Sequence, residues 1–101
     1  MRVEIVYTDE FGAWWDGLAV EEQKSVGAVV ELLGGIEGSS KLRELRIQHR
    51  GEPYRVLYAF DPARNAVLLL GGNKTGKDRW YEQMVPVAEQ IFADYLRETK
   101  D

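Results

Sequence analysis

The segment LRELRIQHRGEPYRVLYAF, residues 42–60, alternates so regularly that it restricts the kind of sheet it can join. Successive side chains of a strand point to opposite faces, so pairing register decides which side chains meet. Paired as an antiparallel hairpin, the segment puts Leu45, Ile47, Tyr54, Val56 and Tyr58 on one face. Arg46, Gln48 and Arg55 gather on the other. Gly51-Glu52 is the predicted turn, a two-residue type II′ turn with glycine where φ must be positive. That register sets Arg50 against Pro53, Gln48 against Arg55 and Arg46 against Leu57. A one-residue slip would mix arginines with aromatics. The hairpin therefore predicts a sheet with one apolar face and one cationic face.

The rest of the chain supplies elements to pack against it. Arg2 to Tyr7 alternates and predicts a first strand, with Val3, Ile5 and Tyr7 on one side. Thr8 or Asp9 can cap a short helix that carries Phe11, Trp14 and Trp15 and ends by Gly17. Adjacent tryptophans project about 100° apart on a helix, so one of Trp14 and Trp15 is expected to be deeply buried. Val20 to Leu33 predicts a second helix, with Val26, Val29, Val30 and Leu33 on one stripe and Gly34-Gly35 as its left-handed stop. Gly38-Ser39-Ser40 reads as a loop, and Lys41 opens the hairpin segment.

Asp61 to Asn65 has turn chemistry, since proline presets φ and asparagine tolerates the left-handed conformation. Ala66 to Leu70 is apolar on both faces and predicts a central strand, broken by Gly71-Gly72. Asn73 to Arg79 predicts a polar loop, and Trp80 to Arg97 a final helix. Trp80, Met84, Val87, Ala88, Ile91 and Tyr95 share its inner face, and Pro86 either kinks it or restarts it. The order β-α-α-β-β-β-α predicts an α+β fold: a small, mainly antiparallel sheet with helices packed on one face.

At 101 residues and 45% hydrophobic, the chain is expected to form one domain, 1–101, with a core of its own. Without cysteine it has no disulfide framework and no thiolate metal site. No apolar run is long enough to span a membrane, and the opening MRVEIVY reads as strand rather than signal peptide. A cytoplasmic setting is the expectation. The net charge of −4 conceals a partition. Residues 1–37 carry 8 acidic and 2 basic side chains (−6), residues 38–81 carry 4 and 9 (+5), and residues 82–101 carry 5 and 2 (−3). A positive middle between acidic ends suggests a local anion site on a protein not generally sticky to polyanions. A solvated charge fluctuation is the plainer alternative.

Arg46 and Arg55, followed by NKTGKDR over 73–79, would form a cationic patch at the end of the central strand. Arginine binds phosphate as a planar fork and lysine as a point charge, while glycines let backbone N–H groups approach an anion. GNKTGK lacks the spacing of the P-loop, and strand arginines often serve solubility alone. His49, the sole histidine, is a candidate acid/base or a strand-end structural residue; it has no second histidine for a metal pair. Tyr81 could offer a hydroxyl beside the patch. RNA cleavage needs no metal if one group takes the 2′-hydroxyl proton, another stabilises the added negative charge and a third assists the leaving 5′-oxygen. The cationic face is read as lacking a carboxylate/histidine pair for the proton transfers.

LRELRI, then PYRVLYAFDPARNAVLLLGGNKTGKDRWYEQMVPVAEQIFADYL, resembles the RelE/HigB-like toxins of bacterial type II toxin–antitoxin systems. The GGNKTG and RWYE stretch after the last strand is similar to one subgroup of them. This resemblance implies a microbial-ribonuclease-like α+β fold and a ribosome-dependent mRNA endoribonuclease that inhibits translation without a cofactor. It implies a cognate antitoxin as partner, in the HigB-like group commonly a helix-turn-helix, HigA-like protein, besides the ribosome and mRNA. Carried over by position, Arg55 in YRVLY matches the arginine that contacts the scissile phosphate, Arg46 the basic position of the preceding strand, and Lys74 the lysine after the last strand. These three are the expected catalytic residues. Gln48, Lys77, Arg79 and Tyr81 are expected to bind RNA phosphate, with His49 as an acid/base candidate and no metal. Many such toxins are strongly basic, whereas this chain has a pI near 5.0. Two other readings stay open: a ParE-like gyrase inhibitor on the same fold, and a non-enzymatic module that binds only its antitoxin; in any of them the Trp14/Trp15 and Val20–Leu33 helices are the expected antitoxin surface.

Overall fold

The structure is a computed structural model that describes residues 4–32 and 42–99. Its elements run β1 (Ile5–Tyr7), α1 (Asp9–Asp16), α2 (Val20–Val30), β2 (Arg43–His49), β3 (Glu52–Phe60), β4 (Ala66–Asn73) and α3 (Trp80–Glu98). The fold is α+β in the expected order. Arg2, Val3, Leu33, the Gly34-Gly35 stop, the Gly38-Ser39-Ser40 loop and Lys41 lie outside the described residues. No helix among the described residues is long and apolar enough to cross a membrane.

The four strands form a mixed sheet ordered β1-β4-β3-β2, in which β1 runs parallel to β4 and the other two pairings are antiparallel. The expectation that the helices share one face is corrected. One buried cluster joins Phe11 of α1 and Val26 and Val30 of α2 to Leu45, Ile47, Tyr54, Val56, Tyr58, Phe60 and Leu68. A second joins Trp80, Ala88 and Ile91 of α3 to Leu57, Ala59, Val67, Leu69 and Leu70. The cause is the double-sided apolarity of β3 and β4. Each central strand offers buried residues to both faces, so each face needs a cover.

The hairpin keeps its predicted sorting of faces but not its predicted register. Arg46 lies opposite Arg55, Gln48 opposite Pro53 and His49 opposite Glu52. The turn residues are Arg50 and Gly51, both at positive φ (52° and 78°), which is the type I′ arrangement. Glu52 is a strand residue instead, its carboxylate accepting a hydrogen bond from Asn73 Nδ2 at 2.8 Å. The displacement is by two residues along one strand, an even step, so every side chain keeps its face.

Gly71-Gly72 does not break β4, which continues to Asn73. A Cβ on Gly71 would sit 2.3 Å from the Trp14 ring, and one on Gly72 2.9 Å from Trp80 Nε1. The two glycines admit an indole from each side of the sheet. Trp14 and Trp15 are both half-buried, so neither is the deeply buried partner the helix geometry predicted. Thr8 is the N-cap of α1: its hydroxyl accepts from Phe11 N at 3.3 Å and lies 2.8 Å from the carbonyl of Leu68. Between Leu57 and Tyr58 the β3–β4 register shifts, pairing them with Leu70 and Leu68. The intervening Leu69 is a bulge residue, which turns both Leu69 and Leu70 towards α3. Helix α3 runs through Pro86; Val87, expected on its inner face, is 46% exposed.

Candidate functional site

The strand face that bears Arg55 also bears Glu44 and Arg46 from β2, because the period of two places them side by side. Arg55 is 7% exposed. Burying a guanidinium requires partners, and it has them. Its Nε donates to the Tyr81 hydroxyl at 3.0 Å and its Nη1 donates to the Tyr54 carbonyl at 2.9 Å. The hydroxyl of Tyr81, in the first turn of α3, also lies near enough to the Glu44 carboxylate for each to shift the other's titration. Glu44 accepts in turn from Arg46 Nε at 2.8 Å. A chain of contacts thus runs Arg55–Tyr81–Glu44–Arg46, from the buried interior to an arginine whose side chain is 75% exposed.

Lys74 completes the cluster, its ammonium lying 5.1 Å from the centroid of the Tyr81 ring. The segment that carries it is fixed by backbone contacts. Lys74 N donates to the Pro53 carbonyl at 2.9 Å, and Lys77 N to the Lys74 carbonyl at 3.0 Å. Asn73 Oδ1 accepts from Thr75 N at 2.9 Å and Thr75 Oγ1 at 2.6 Å, and Gly76 supplies positive φ at 67°. Such Asx turns let asparagine hold a tight corner.

The electrostatics follow from these contacts. Burial pushes the Glu44 carboxyl up, but the Tyr81 hydroxyl, the hydrogen bond with Arg46 and the charges of Arg46 and Arg55 outweigh it, so the net shift is down. Burial, then the nearby Glu44 carboxylate, raises the Tyr81 hydroxyl, against a smaller lowering by Arg55. Glu44 is therefore an anion and Tyr81 a neutral phenol near neutral pH.

The structure brings Arg46, Arg55, Lys74 and Tyr81 together, and it adds Glu44. The cationic face has a carboxylate after all, which corrects the reading that proton-transfer groups were missing from it. Gln48 stands exposed one alternation beyond Arg46 on the same strand face. Lys77 is exposed on the loop, and Arg79, at the N-cap of α3, pairs with Glu82 at 3.1 Å. His49 does not join them. It lies on the α2 face, its Nδ1 2.7 Å from Ser25 Oγ and its ring edge-on to Tyr54. Among the described residues no group of three or more histidine or carboxylate side chains could hold a metal ion.

Comparison with known proteins follows the same lines. The family model described as Phage derived protein Gp49-like (DUF891) matches residues 13–93. A Mycobacterium tuberculosis protein named "Putative toxin HigB2" is 33% identical over 109 residues, covering 92% of this chain and 54% of that protein. "Putative toxin HigB3" of the same organism is 48% identical over 56 residues, covering 54% of this chain and 47% of that one. The chain thus spans about half the length of these curated relatives. The free-state structure of a mutant Escherichia coli toxin RelE superposes with a TM-score of 0.56 at 14% identity, over 85% of this chain and 98% of that one. That likeness shows a RelE-like fold. With the family model reaching from α1 to α3, this chain belongs to the Gp49-like, RelE/HigB-type family.

Proposed function

We propose that the protein is a toxin of a type II toxin–antitoxin system that cleaves mRNA on the ribosome. The observation that carries this reading is the Arg55–Tyr81–Glu44–Arg46 chain with Lys74 over the Tyr81 ring. RNA cleavage by this route sends the 2′-oxygen of the substrate onto the adjacent phosphorus and expels the 5′-oxygen. The exposed Arg46 and the half-buried Lys74 receive the phosphate, Arg46 spending only its Nε on Glu44. Arg55, buried with Nε and Nη1 committed, contributes a fixed positive field more than a grip. Glu44 is the proton acceptor for the 2′-hydroxyl in this reading, being the one anion of the cluster. Its lowered pKa makes it a weak base while Arg46 and Tyr81 hold it. A phosphate that draws Arg46 away restores some of its basicity. Ribosomal positioning of the substrate supplies the remaining advantage.

The cognate antitoxin in this proposal is a helix-turn-helix protein of the HigA type, and the setting is cytoplasmic. The experiment is mapping of mRNA 5′ ends after brief induction in a bacterial host, for the wild type beside Arg46→Ala, Arg55→Ala, Lys74→Ala and Glu44→Gln. New ends confined to translated regions, and lost in all four variants, are the expected outcome. Growth arrest without new ends would direct attention to another target. Absence of both, with soluble folded protein, would leave an antitoxin-binding module.

A further inference from the structure

Lys74 enters the cationic cluster from a loop, and a loop side chain is placed only as well as its backbone is held. Two main-chain bonds hold it: Lys74 N donates to the Pro53 carbonyl at 2.9 Å, and its carbonyl accepts from Lys77 N at 3.0 Å. The side-chain contacts of the turn converge on Asn73. Its Oδ1 accepts from Thr75 N at 2.9 Å and from Thr75 Oγ1 at 2.6 Å, closing a turn around Lys74. Its Nδ2 donates to Glu52 Oε1 at 2.8 Å. A carboxylate accepts and a backbone N–H donates, so only one orientation of the amide satisfies both ends.

This brace lies on the other face of the sheet from the cluster. Asn73 stands opposite Tyr54 in the β3–β4 pairing, and Glu52 stands opposite His49 in the hairpin. Residues paired directly across a sheet share a face, and diagonal neighbours on that face are within reach of each other. Tyr54 and His49 belong to the α2 face, and Glu52 shares a cleft there with Glu21, Glu22, His49, Arg50 and Tyr54. Lys74, one residue beyond Asn73, turns to the α3 face, where its ammonium lies 5.1 Å from the centroid of the Tyr81 ring. Glu52 and Asn73 are thus set to act on Lys74 through the backbone, without touching a phosphate held at the cluster.

We propose that Glu52 and Asn73 are positioning residues that fix the Lys74 ammonium over Tyr81 from behind the sheet. The value of that placement to catalysis rests on the RNA-cleaving reading above; the brace itself does not. Without Glu52 the Asn73 amide is free to rotate and the turn loosens. A lysine on its flexible stem then leaves the ring.

A charge exchange in the full chain tests this. Asn73→Asp sets a second carboxylate against Glu52, and the pair repels unless one of the two holds a proton. Glu52→Gln keeps the acceptor. The double variant, Glu52→Gln with Asn73→Asp, rebuilds the bond in reverse, the glutamine amide donating to the aspartate. Placement is read by NMR as the ring-current shift of the Lys74 side-chain protons, and cleavage as kcat and KM on translating ribosomes. At a pH of about 8 the wild type, Glu52→Gln and the double variant are expected to share the ring-current shift. Asn73→Asp is expected to lose at least about half of it and to regain it on acidification to about pH 5.5. Of the groups in the cleft, histidine alone ordinarily titrates across that window, and its effect is common to the wild type. In Asn73→Asp kcat is expected to fall about tenfold with KM within about twofold, and the double variant to return to within about threefold of the wild type.

A lower melting temperature in Asn73→Asp with the Lys74 shift retained would reduce the brace to a structural tie and overturn the proposal. A double variant as displaced as Asn73→Asp alone would overturn it too. A wild type that does not cleave, while the NMR order holds, would overturn the RNA-cleaving reading and support the brace. Wild-type cleavage without that NMR order would overturn the brace alone.

Discussion

Tyr81 carries three interactions at once: it accepts from Arg55, couples electrostatically to Glu44 and offers its ring to Lys74. Its phenylalanine variant keeps the ring and removes the hydroxyl alone. A buried guanidinium then loses an acceptor and Glu44 loses its polar neighbour, while the Lys74 contact survives. Cleavage by Tyr81→Phe is expected to fall about 10- to 100-fold, within the range seen when one preorganised polar contact is lost. Retained cleavage, measured by primer extension on translating ribosomes, would reduce Tyr81 to packing. Glu44→Gln separates the roles further, because it removes the anion and keeps the shape. The alternation that selected Arg46 and Arg55 selects Glu44 equally, two residues before Arg46 on the same strand. The ELR segment thus carries the signal for its carboxylate as plainly as for its cation. The Tyr81–Glu44 contact had no such signal, because α3 reaches β2 through tertiary packing that sequence spacing does not encode.

A second tyrosine couples one element to another. Tyr54 of β3 donates to Glu22 of α2 at 2.5 Å, and Glu22 also accepts from Ala19 N at 2.7 Å, so one carboxylate ties the start of α2 to the sheet. The hydrogen bond with Glu22, then burial, pushes the Tyr54 phenol up to about 12. The same bond, then that from Ala19, lowers Glu22. The raised phenol adds stability that is whole below pH of about 10 and lost as pH rises to about 12. The lowered carboxyl adds stability present above its ordinary value and lost as pH falls through the folded one. Tyr95, raised by burial and then Asp61, and Tyr81 act with the same sign on the alkaline side. Thermal melts across pH are expected to show Tyr54→Phe less stable at neutrality but with a flatter decline above pH 10. An unchanged alkaline slope would show the bond to be irrelevant to stability.

Glycines test the packing between elements with opposite signs. Gly71→Ala drives a methyl into the Trp14 ring, a rigid neighbour, and is expected to cost on the order of 1–3 kcal/mol. For a domain of this size each kcal/mol is about 4–8 °C in melting temperature. Gly12→Ala meets nothing and is expected to stabilise by about 0.5–1 kcal/mol. Melting curves of the two variants check both at once. A neutral Gly71→Ala would mean that Trp14 is free to move aside. The glycine pair at 71 and 72 shows where local chemistry misleads. Read alone it is a breaker, yet here it is where Trp14 and Trp80 approach the sheet from opposite sides. Element type and order were legible because periodicity and turn residues are local. Register was not, since steps of two preserve every face, and the side each helix takes depends on which strands end up central.

At the scale of the molecule, charge is divided by face. Cations gather where the sheet meets α3, while the α1–α2 side is acidic. RNA approaching the cluster must therefore overcome a net charge of −4, and its hold rests on a few side chains. Among the described residues Lys74 and Lys77 form no ion pair, whereas Arg46 and Arg79 are paired with Glu44 and Glu82 and must trade one partner for another. Single-stranded RNA gives a slope of about −0.7 in log affinity against log salt for each phosphate neutralised. Two to four contacts then predict a slope between about −1.4 and −2.8, measured by anisotropy with a non-cleavable oligonucleotide. Glu82→Gln is expected to steepen the slope by releasing Arg79, and Lys77→Ala to flatten it by about 0.7. A slope far steeper than −2.8 would demand a second basic surface that this fold does not offer among its described residues. A shallow slope fits an enzyme that relies on the ribosome, rather than on its own field, to bring the phosphate into place.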